Sequence, residues 1–452
     1  MEPKTLLLKF LLAGILLGSQ HFADCATFYV SPSGSDSAVG SQSAPWKRIQ
    51  KGLGAAQPGD TIRLLPGIHY PGGELWTGRS GTAALPITIL GQPDNTAVIA
   101  GGSTKGQDFI RIKHAYYIVK NLKWDGYGIQ FLGPNSHHNI VEANTITNAF
   151  RGVDFDGSTD PTHKNGPNNN TVRNNVVTHW KSDGGIKLAG HDNLISSNRL
   201  EFNDGWDATR AFGYGHRIQD NLFKGIKSDP GGNHVDIIQS FGTNGSVAYD
   251  IIFERNTLID CSGQFANLEA NGVADQRHWV FRNNLTINSR IQMNIIIPEC
   301  EFYNNTFYRG THAVGISLNN ERRGVANKTK IKNNIFFECG TNESNGVYGD
   351  PLAKGLTGCE VSHNMVVWMN GSPKDMRWTE PGRINGGNPK FADPANNNFR
   401  LLSGSPALGS GIQVAGVDVD MESQLRVVPF DRGCYTKSAA LSPPTDLRIA
   451  TP

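Results

Sequence analysis

The segment EFNDGWDATR, residues 201–210, holds three oxygen-bearing side chains close together: Asn203, Asp204 and Asp207. Such a density is typical of a polar turn, of a calcium site or of a pair of catalytic carboxylates. Which of the three it is depends on the residues that the fold places above and below it.

The composition favours a β-rich, exported protein. Glycine contributes 52 of the 452 residues and charged residues only 18%, which suits a fold with many tight turns. The formal net charge of +2 excludes a strongly basic nucleic-acid-binding protein. Residues 1–25 place Lys4 and Lys9 around a short apolar run, the layout of a secretory signal peptide. We therefore expect a secreted or periplasmic protein without a membrane span, because the run is too short for one.

A short phrase recurs through the middle of the chain: an apolar residue, one or two residues, Asn, and then alternating apolar and polar residues. Its asparagines are Asn121, Asn144, Asn175, Asn198, Asn221, Asn256, Asn284, Asn305, Asn334 and Asn364. A repeat of this length cannot bury its own apolar face, so the units must stack into a solenoid. Short strands without long helical segments predict an all-β parallel β-helix of about ten or more coils, with the asparagines stacked in an amide ladder.

The ends of the chain fit a capped solenoid. The segment after Pro45 is helix-like and runs into an expected strand at 61–65, which predicts an N-terminal capping helix. The segment NPKFADPANNNFRLLSGSPAL suits a closing coil, and 436–452 suits a linker or tail. We predict a signal peptide at 1–25, one β-helix domain at 26–435 and a tail at 436–452.

Counting from each ladder asparagine predicts which side chains point outward from the strand that follows it. This outward column contains Gln130, Asp154, Lys187, Asp207, Asp236, Asn267 or Glu269, and Gln292. The same count places Asp183 beside Asp204 and Asp207 of the next coil. Three carboxylates and the Asn203 amide would then converge, which favours Ca²⁺, an ion that oxygen ligands surround, over unrelated turn residues.

The stretch SDGGIKLAG and, one coil later, NDGWD resemble the calcium-binding signature of family 9 polysaccharide lyases. These are secreted pectate lyases built on a right-handed parallel β-helix. The N-terminal stretch FYVSPSGSDSAVGSQSAPWKRIQKGLGAAQPGDTIRLLPG is similar to that family and equally to family 6 lyases. The resemblance implies a calcium ion held by Asp183, Asn203, Asp204 and Asp207, with Asn203 in place of an aspartate. It also implies β-elimination from a pectate-like, uronic-acid-containing polysaccharide whose carboxylate the calcium neutralises.

The catalytic lysine of family 9 has no counterpart in the stretch GGNHVDIIQSFG, residues 231–242. The candidates for its role or for binding the substrate carboxylate are Lys187, Arg210, His234 and Asp236. The candidate substrate-binding residues are Trp206, Gln239, Glu269 and Gln292. The expected partner is an acidic polysaccharide, and we expect a monomer.

Two other functions fit the same residues. A glycoside hydrolase needs two carboxyl groups about 5 Å apart for retention or about 6.5–9.5 Å apart for inversion. Asp207 with Asp236, or Asp236 with Glu269, are the candidate pairs. A β-helix that binds carbohydrate or attaches to a surface without catalysis is the third hypothesis.

Overall fold

The chain forms a parallel β-helix. The computed structural model describes residues 25–101, 108–156, 160–228, 234–311, 316–317, 319–320, 324–339, 355–367 and 380–437. The predicted signal peptide and tail therefore lie outside the described residues, except for Cys25, Thr436 and Lys437. Three parallel sheets of 14, 13 and 10 strands run side by side along the axis, and the chain visits them in turn. The prediction of ten or more coils is confirmed.

Each sheet contains one short strand from almost every coil. Sheet 1 consists of Thr27–Val30, Thr61–Leu64, Ile87–Leu90, Tyr117–Lys120, Ile140–Glu142, Thr171–Arg173, Leu194–Ser196, Gly213–Tyr214, Arg217–Gln219, Ala248–Glu254, Gln276–Arg282, Glu301–Tyr303, Lys330–Lys332 and Glu360–Ser362. Sheet 2 consists of Gly67–His69, Ala97–Ala100, Lys123–Asp125, Thr145–Thr147, Val176–Thr178, Arg199–Glu201, Leu222–Lys224, Thr257–Ile259, Leu285–Ile287, Thr306–Tyr308, Ile335–Phe337, Met365–Val367 and Ile384–Asn385. Sheet 3 consists of Leu75–Trp76, Phe109–Ile112, Gly128–Leu132, Val153–Asp156, Ile186–Leu188, Thr209–Ala211, Asp236–Phe241, Gln264–Glu269, Met293–Ile296 and Ile316–Ser317.

The interior is filled by aligned apolar side chains, because alternate residues of every strand point inward. In sheet 1 the register aligns Ile62, Ile89, Val119, Val141, Val172, Ile195, Ile218, Phe253, Phe281, Phe302 and Ile331, all of them buried. Aromatic rings replace the aliphatic side chains at Phe253, Phe281 and Phe302, and the rings of Phe281 and Phe302 are stacked with their centroids 4.9 Å apart. The core is therefore continuous along the axis.

An amide ladder lines the bend between sheets 1 and 2, as predicted. Its members are Asn144, Asn175, Asn198, Asn221, Asn256, Asn284, Asn305, Asn334 and Asn364. In each step one Asn donates Nδ2–H to the Oδ1 of the next, for example Asn198 to Asn221 at 3.1 Å. Asn121 is not part of this ladder, which corrects the prediction: Leu122 occupies that position and donates its backbone N–H to Asn144 Oδ1 at 3.2 Å.

A second ladder lies at the bend between sheets 3 and 1. Asn139 donates to Asn170 Oδ1 at 3.0 Å, and Asn170 donates to Asn193 Oδ1 at 3.2 Å. His216 continues the series, since its Nδ1 accepts the backbone N–H of Asn193 at 3.2 Å. This ladder was not predicted from the sequence.

The predicted capping helix is Ile49–Ala55. Its Ile49 and Leu53 are buried, and a Cβ at Gly52 would lie 2.8 Å from Ile62 of the first coil, so the helix closes the apolar end of the stack. The expected closing coil is instead an antiparallel hairpin of Phe391–Asp393 and Asn398–Leu401. This hairpin packs on the outer face of sheet 2, against Ile287, Tyr308, Ile335 and Met365.

Among the described residues, the remaining elements are an antiparallel pair, Asn319–Asn320 with Gly324–Val325, and the 3₁₀ turns Thr243–Gly245 and Pro394–Asn396. In the described part of the chain, no helix has the length and apolar character needed to cross a membrane.

Candidate active site

The outer face of sheet 3 carries a column of polar side chains aligned by the strand register. In order along the axis the column is Trp76, Arg111, Gln130, Asp154, Lys187, Arg210, Gln239, Asn267 and Asn294. Neighbouring members lie about one strand spacing, 4.8 Å, apart. Along the axis, the cations Lys187 and Arg210 in the middle of the column are followed by uncharged amides from Gln239 onward.

Part of the predicted column was wrong in register. Asp207 and Asp236 do not follow Lys187, because the neighbouring strand begins only at Thr209 and its outward residue is Arg210. Gln239 is the register partner of Arg210, so Asp236 lies three residues too early for the column. Asn267 rather than Glu269 belongs to the column, and Asn294 takes the place predicted for Gln292, which precedes the strand Met293–Ile296.

A chain of alternating charges crosses three coils beside this column. Arg151 Nη1 lies 3.1 Å from Asp154 Oδ2, and the same guanidinium also pairs with Asp183 Oδ2. Arg210 Nη1 lies 3.0 Å from Asp183 Oδ1, and Arg210 Nε lies 2.7 Å from Asp207 Oδ2. Two guanidinium groups thus connect three carboxylates that belong to successive coils.

The predicted calcium ligands do not share one centre. Both oxygens of Asp183 face guanidinium groups, and Asp207 Oδ1 accepts the backbone N–H of Asp236 at 2.8 Å. The Asn203 amide is used by the backbone: its Oδ1 accepts the N–H of Lys227 at 2.7 Å, and its Nδ2 donates to Trp206 O at 2.8 Å. Asp204 pairs with His179 Nδ1 at 3.1 Å. Across the described ranges, no three His, Cys, Asp or Glu side chains are grouped as metal ligands are.

The donor set present here does not fit a calcium ion. Calcium needs about six to eight oxygens directed at one point. At the position between Asp183 and Asp207, the positive charge is already supplied by Arg210.

Two buried carboxylates lie one coil apart at the edge of sheet 3. Asp236 is fully buried and Asp207 is 1% exposed. Burial raises the pKa of Asp207, although Arg210 opposes the rise. Burial likewise raises the pKa of Asp236 to about 7: His234 acts to lower it, and the nearby charge of Asp207 adds to the rise.

His234 is the solvent-facing partner of Asp236. Its Nδ1 lies 3.0 Å from Asp236 Oδ2, and its Nε2 contacts the Gln264 side chain. The contact with Asp236 raises the pKa of His234, although burial opposes this. The His234 side chain is 43% exposed, so it can exchange a proton with a ligand that the buried Asp236 cannot reach.

Lys187 faces outward between Asp154 and Arg210 in the column. Among the described residues its ammonium group forms no salt bridge, in contrast to the guanidinium groups of Arg151 and Arg210 on either side. The other two cations of the column, Arg111 and Arg210, both form salt bridges, so Lys187 is the column cation that is not paired within that part of the chain.

The predicted substrate-binding residues fall into two groups. Gln239 lies in the column, and no described group bonds to its buried Oε1. Trp206 packs against the apolar core, Glu269 is buried, and Gln292 accepts Arg290 Nε–H at 3.0 Å. Gln239 is therefore the best placed of the four to contact a ligand on the column.

Arg151 was not predicted from the sequence, although its partner Asp154 was placed in the outward column. Arg151 and Asp154 form an R-x-x-D pair that mirrors the D-x-x-R pair of Asp207 and Arg210, and this reversed spacing was the available signal. In the part of the chain that the structure describes, buried acceptors without a bonded donor recur here: Asp154 Oδ1, Gln239 Oε1, Asn267 Oδ1 and Asp236 Oδ1. Buried acceptors in native proteins normally have a partner, so their concentration at one face indicates a place for hydroxyl-bearing ligands or water.

Comparisons with known proteins agree with this architecture. The family model described as "Pel9A-like, right handed beta helix region" matches residues 28–225. Pectate lyase PEL9 of Emericella nidulans is 36% identical over 81 residues, which is 18% of this chain and 20% of that protein. The match thus spans about a fifth of the length of this curated relative.

Two solved structures show the fold alone. The complex of XylC with xylose superposes with a TM-score of 0.54 at 11% identity and covers 91% of this chain and 99% of that one. GH136 lacto-N-biosidase from Eubacterium ramulus superposes with a TM-score of 0.52 at 14% identity and covers 75% of this chain and 67% of that one. The sheets and the ladders thus show a parallel β-helix, and within it residues 28–225 match the family model of a Pel9A-like right-handed β-helix region.

Proposed function

We propose that this protein is a lyase that cleaves a uronic-acid-containing, pectate-like polysaccharide by β-elimination. The observation that carries the proposal is the pairing of Lys187 with Arg210 in the outward column. Arg210 is held in place by Asp183 and Asp207, while Lys187 has no salt bridge among the described residues. The family match of residues 28–225 supports the reaction class.

The reaction needs a base and a cation next to each other. In β-elimination the base removes the proton on the carbon α to the uronate carboxylate, and the excess charge is delocalised into that carboxylate. The bond from the neighbouring carbon to the glycosidic oxygen then breaks, a carbon–carbon double bond forms, and the oxygen leaves with a proton. In this scheme Lys187 Nζ accepts the proton and Arg210 binds the carboxylate.

His234 and Asp236 supply a route for the second proton. His234 lies at the open edge of the column, so its imidazolium is the group that can protonate the leaving oxygen. Asp236 behind it holds the ring in orientation and balances its charge. No step of the scheme passes through calcium, because the oxygens of Asp183, Asn203 and Asp207 have other partners.

The alternative with a specific observation behind it is a glycoside hydrolase. Asp207 and Asp236 are neighbouring carboxylates with raised pKa values, which is the arrangement that an acid and base pair requires. Asp207, however, is bonded on both oxygens and almost inaccessible. Asp236 with Glu269 is excluded by distance, since Asp236 aligns with Gln264 and Glu269 lies five residues, roughly 16 Å, further along that strand.

A polysaccharide panel separates these functions. Purified protein is incubated with pectate, alginate and neutral polysaccharides, with and without a chelator, and the products are followed by ultraviolet absorbance and by reducing-end release. A lyase yields reducing ends together with the absorbance of the new double bond. A hydrolase yields reducing ends alone, and a binding protein retains the glycan and yields neither.

Variants identify the residues responsible. Lys187→Met removes the proposed base, and Lys224→Met on sheet 2 is the matched control, since it removes an outward lysine on another face of the β-helix. Loss of activity in both variants would rule out a specific role for Lys187.

We further propose that the protein is exported through residues 1–25 and acts as a monomer. N-terminal sequencing of the mature protein and light scattering of the purified chain test these two points. A mature chain that retains Lys4 and Lys9, or a stable dimer, would contradict them.

A further inference from the structure

The charge chain beside the column occupies the place where the resemblance to family 9 lyases implied a calcium ion. In order, it is Asp154, Arg151, Asp183, Arg210 and Asp207. Three negative and two positive charges alternate, so each carboxylate already has a cationic neighbour. A divalent cation placed at Asp183 would stand directly against both guanidinium groups.

Because these ion pairs are largely buried, breaking them is energetically costly. The side chains of Arg151 and Arg210 are 22% and 18% exposed, and those of Asp154 and Asp207 are each 1% exposed. Although burial disfavours a charged guanidinium, Asp154 and Asp183 raise the pKa of Arg151. A buried carboxylate that lost its arginine would be left as an uncompensated charge.

We propose that Arg151 and Arg210 replace the calcium ion of the family, so that this site holds its three carboxylates together, and works, without bound metal. Arg151 is a positioning residue in this arrangement, because it fixes Asp183, which in turn fixes Arg210. The absence of a bound metal follows from these contacts alone, whereas catalysis without a metal rests on the proposed lyase function.

Calorimetric titration of Ca²⁺ tests the proposal without any activity assay. The wild-type protein is expected to bind no calcium at this site with a dissociation constant below about 10⁻³ M. The double variant Arg151→Met/Arg210→Met removes two positive charges and frees the carboxylates of Asp154, Asp183 and Asp207 from their guanidinium partners. It is expected to gain one site with a dissociation constant of roughly 10⁻⁴–10⁻³ M, the range of weak protein calcium sites.

The matched control is Arg217→Met/Arg255→Met, in which Arg217 lies on sheet 1 and Arg255 directly follows the sheet 1 strand Ala248–Glu254. These arginines contact Glu254 at 2.9 and 3.3 Å, and their loss removes the same charge without freeing three carboxylates. This control is expected to gain no calcium site. Binding of equal strength in both double variants would show a general charge effect and would overturn the proposal.

Two wild-type measurements keep the proposal testable if the double variant does not fold. A chelator is expected to leave the melting temperature of the wild-type protein unchanged, and wild-type calcium binding that disappears in Asp183→Asn would overturn the proposal. Cleavage that survives the chelator supports it, and cleavage that the chelator abolishes contradicts it. If the wild type cleaves no polysaccharide at all, the proposed function fails while the calorimetric result still decides the metal question.

Discussion

The replacement of an asparagine by His216 in the second ladder predicts a measurable pH dependence of stability. His216 is 1% exposed, its Nε2–H donates to Phe212 O at 2.8 Å, and its Nδ1 accepts the Asn193 N–H at 3.2 Å. The ring must therefore be neutral, because a proton on Nδ1 would remove the acceptor that Asn193 uses. Burial lowers the pKa of His216 to about 4, while the weaker effects of Asp192 and His191 oppose each other.

The sign and size of the effect follow from linkage. The folded pKa is below the unfolded value of about 6.5, so the unfolded chain binds the proton first. Stability is complete above pH 6.5 and falls as the pH drops toward 4. Between the pKa values of about 6.5 and about 4, the loss amounts to about 1.4 kcal/mol at pH 5.5 and about 2.6 kcal/mol at pH 4.5.

The assay compares wild type with His216→Asn by denaturant unfolding at pH 7.5, 5.5 and 4.5. Asparagine keeps an acceptor for Asn193, as in the rest of the ladder, but does not titrate. Other titrating groups are common to both proteins, so the difference between their unfolding free energies isolates His216. Relative to pH 7.5, the free energy of unfolding of the wild type is expected to fall below that of the variant by about 1.4 kcal/mol at pH 5.5 and about 2.6 kcal/mol at pH 4.5. A difference that stays constant over the three pH values would refute the reasoning.

Three further predictions concern the ladder, a buried ion cluster and the active site. Asn221→Ala removes hydrogen bonds with Asn198, Ile195 and Asn256, so it is expected to lower the free energy of unfolding by roughly 3–5 kcal/mol. The control Asn396→Ala, at the exposed hairpin, is expected to change it by less than about 0.5 kcal/mol. Glu254→Gln leaves Arg217, Arg255 and Arg282 around a neutral amide, so it is expected to lower the free energy of unfolding by about 3–5 kcal/mol. An unchanged free energy in denaturant unfolding would show that this ion cluster does not stabilise the fold. Lys187→Met is expected to lower kcat by about 10²–10⁴-fold with little change in KM, and an unchanged kcat in steady-state kinetics would remove Lys187 from the mechanism.

The sequence was sufficient for the fold because the repeat is carried by residues with a fixed backbone role. An asparagine at each bend of the main ladder bonds to its neighbours on both sides, so its position in the sequence marks the coil. The second ladder was missed although its Asn139, Asn170 and Asn193 each precede a main-ladder asparagine by the same interval. The series ends at His216, and that substitution conceals the pattern.

The site was predicted less well because turns between sheets vary in length. Lys187 and Arg210 lie equally far beyond their ladder asparagines, Asn175 and Asn198, so their alignment was open to prediction from the sequence. The prediction instead places this strand at 206–209, which makes Asp207 the outward residue, whereas the strand begins at Thr209 and its outward residue is Arg210. The sequence could not show that Arg210 turns back onto Asp183 and Asp207, since that contact depends on side-chain conformation across two coils.

The most direct test of the lyase account is the fate of solvent oxygen during cleavage. The reaction is run with an acidic polysaccharide in isotopically labelled water, and the masses of the product oligosaccharides are measured. Elimination predicts one product lighter by a water molecule, with a double bond at its non-reducing end and no labelled oxygen introduced by the cleavage. Products that carry one labelled oxygen per cleaved bond, without a double bond, would contradict the account and establish hydrolysis.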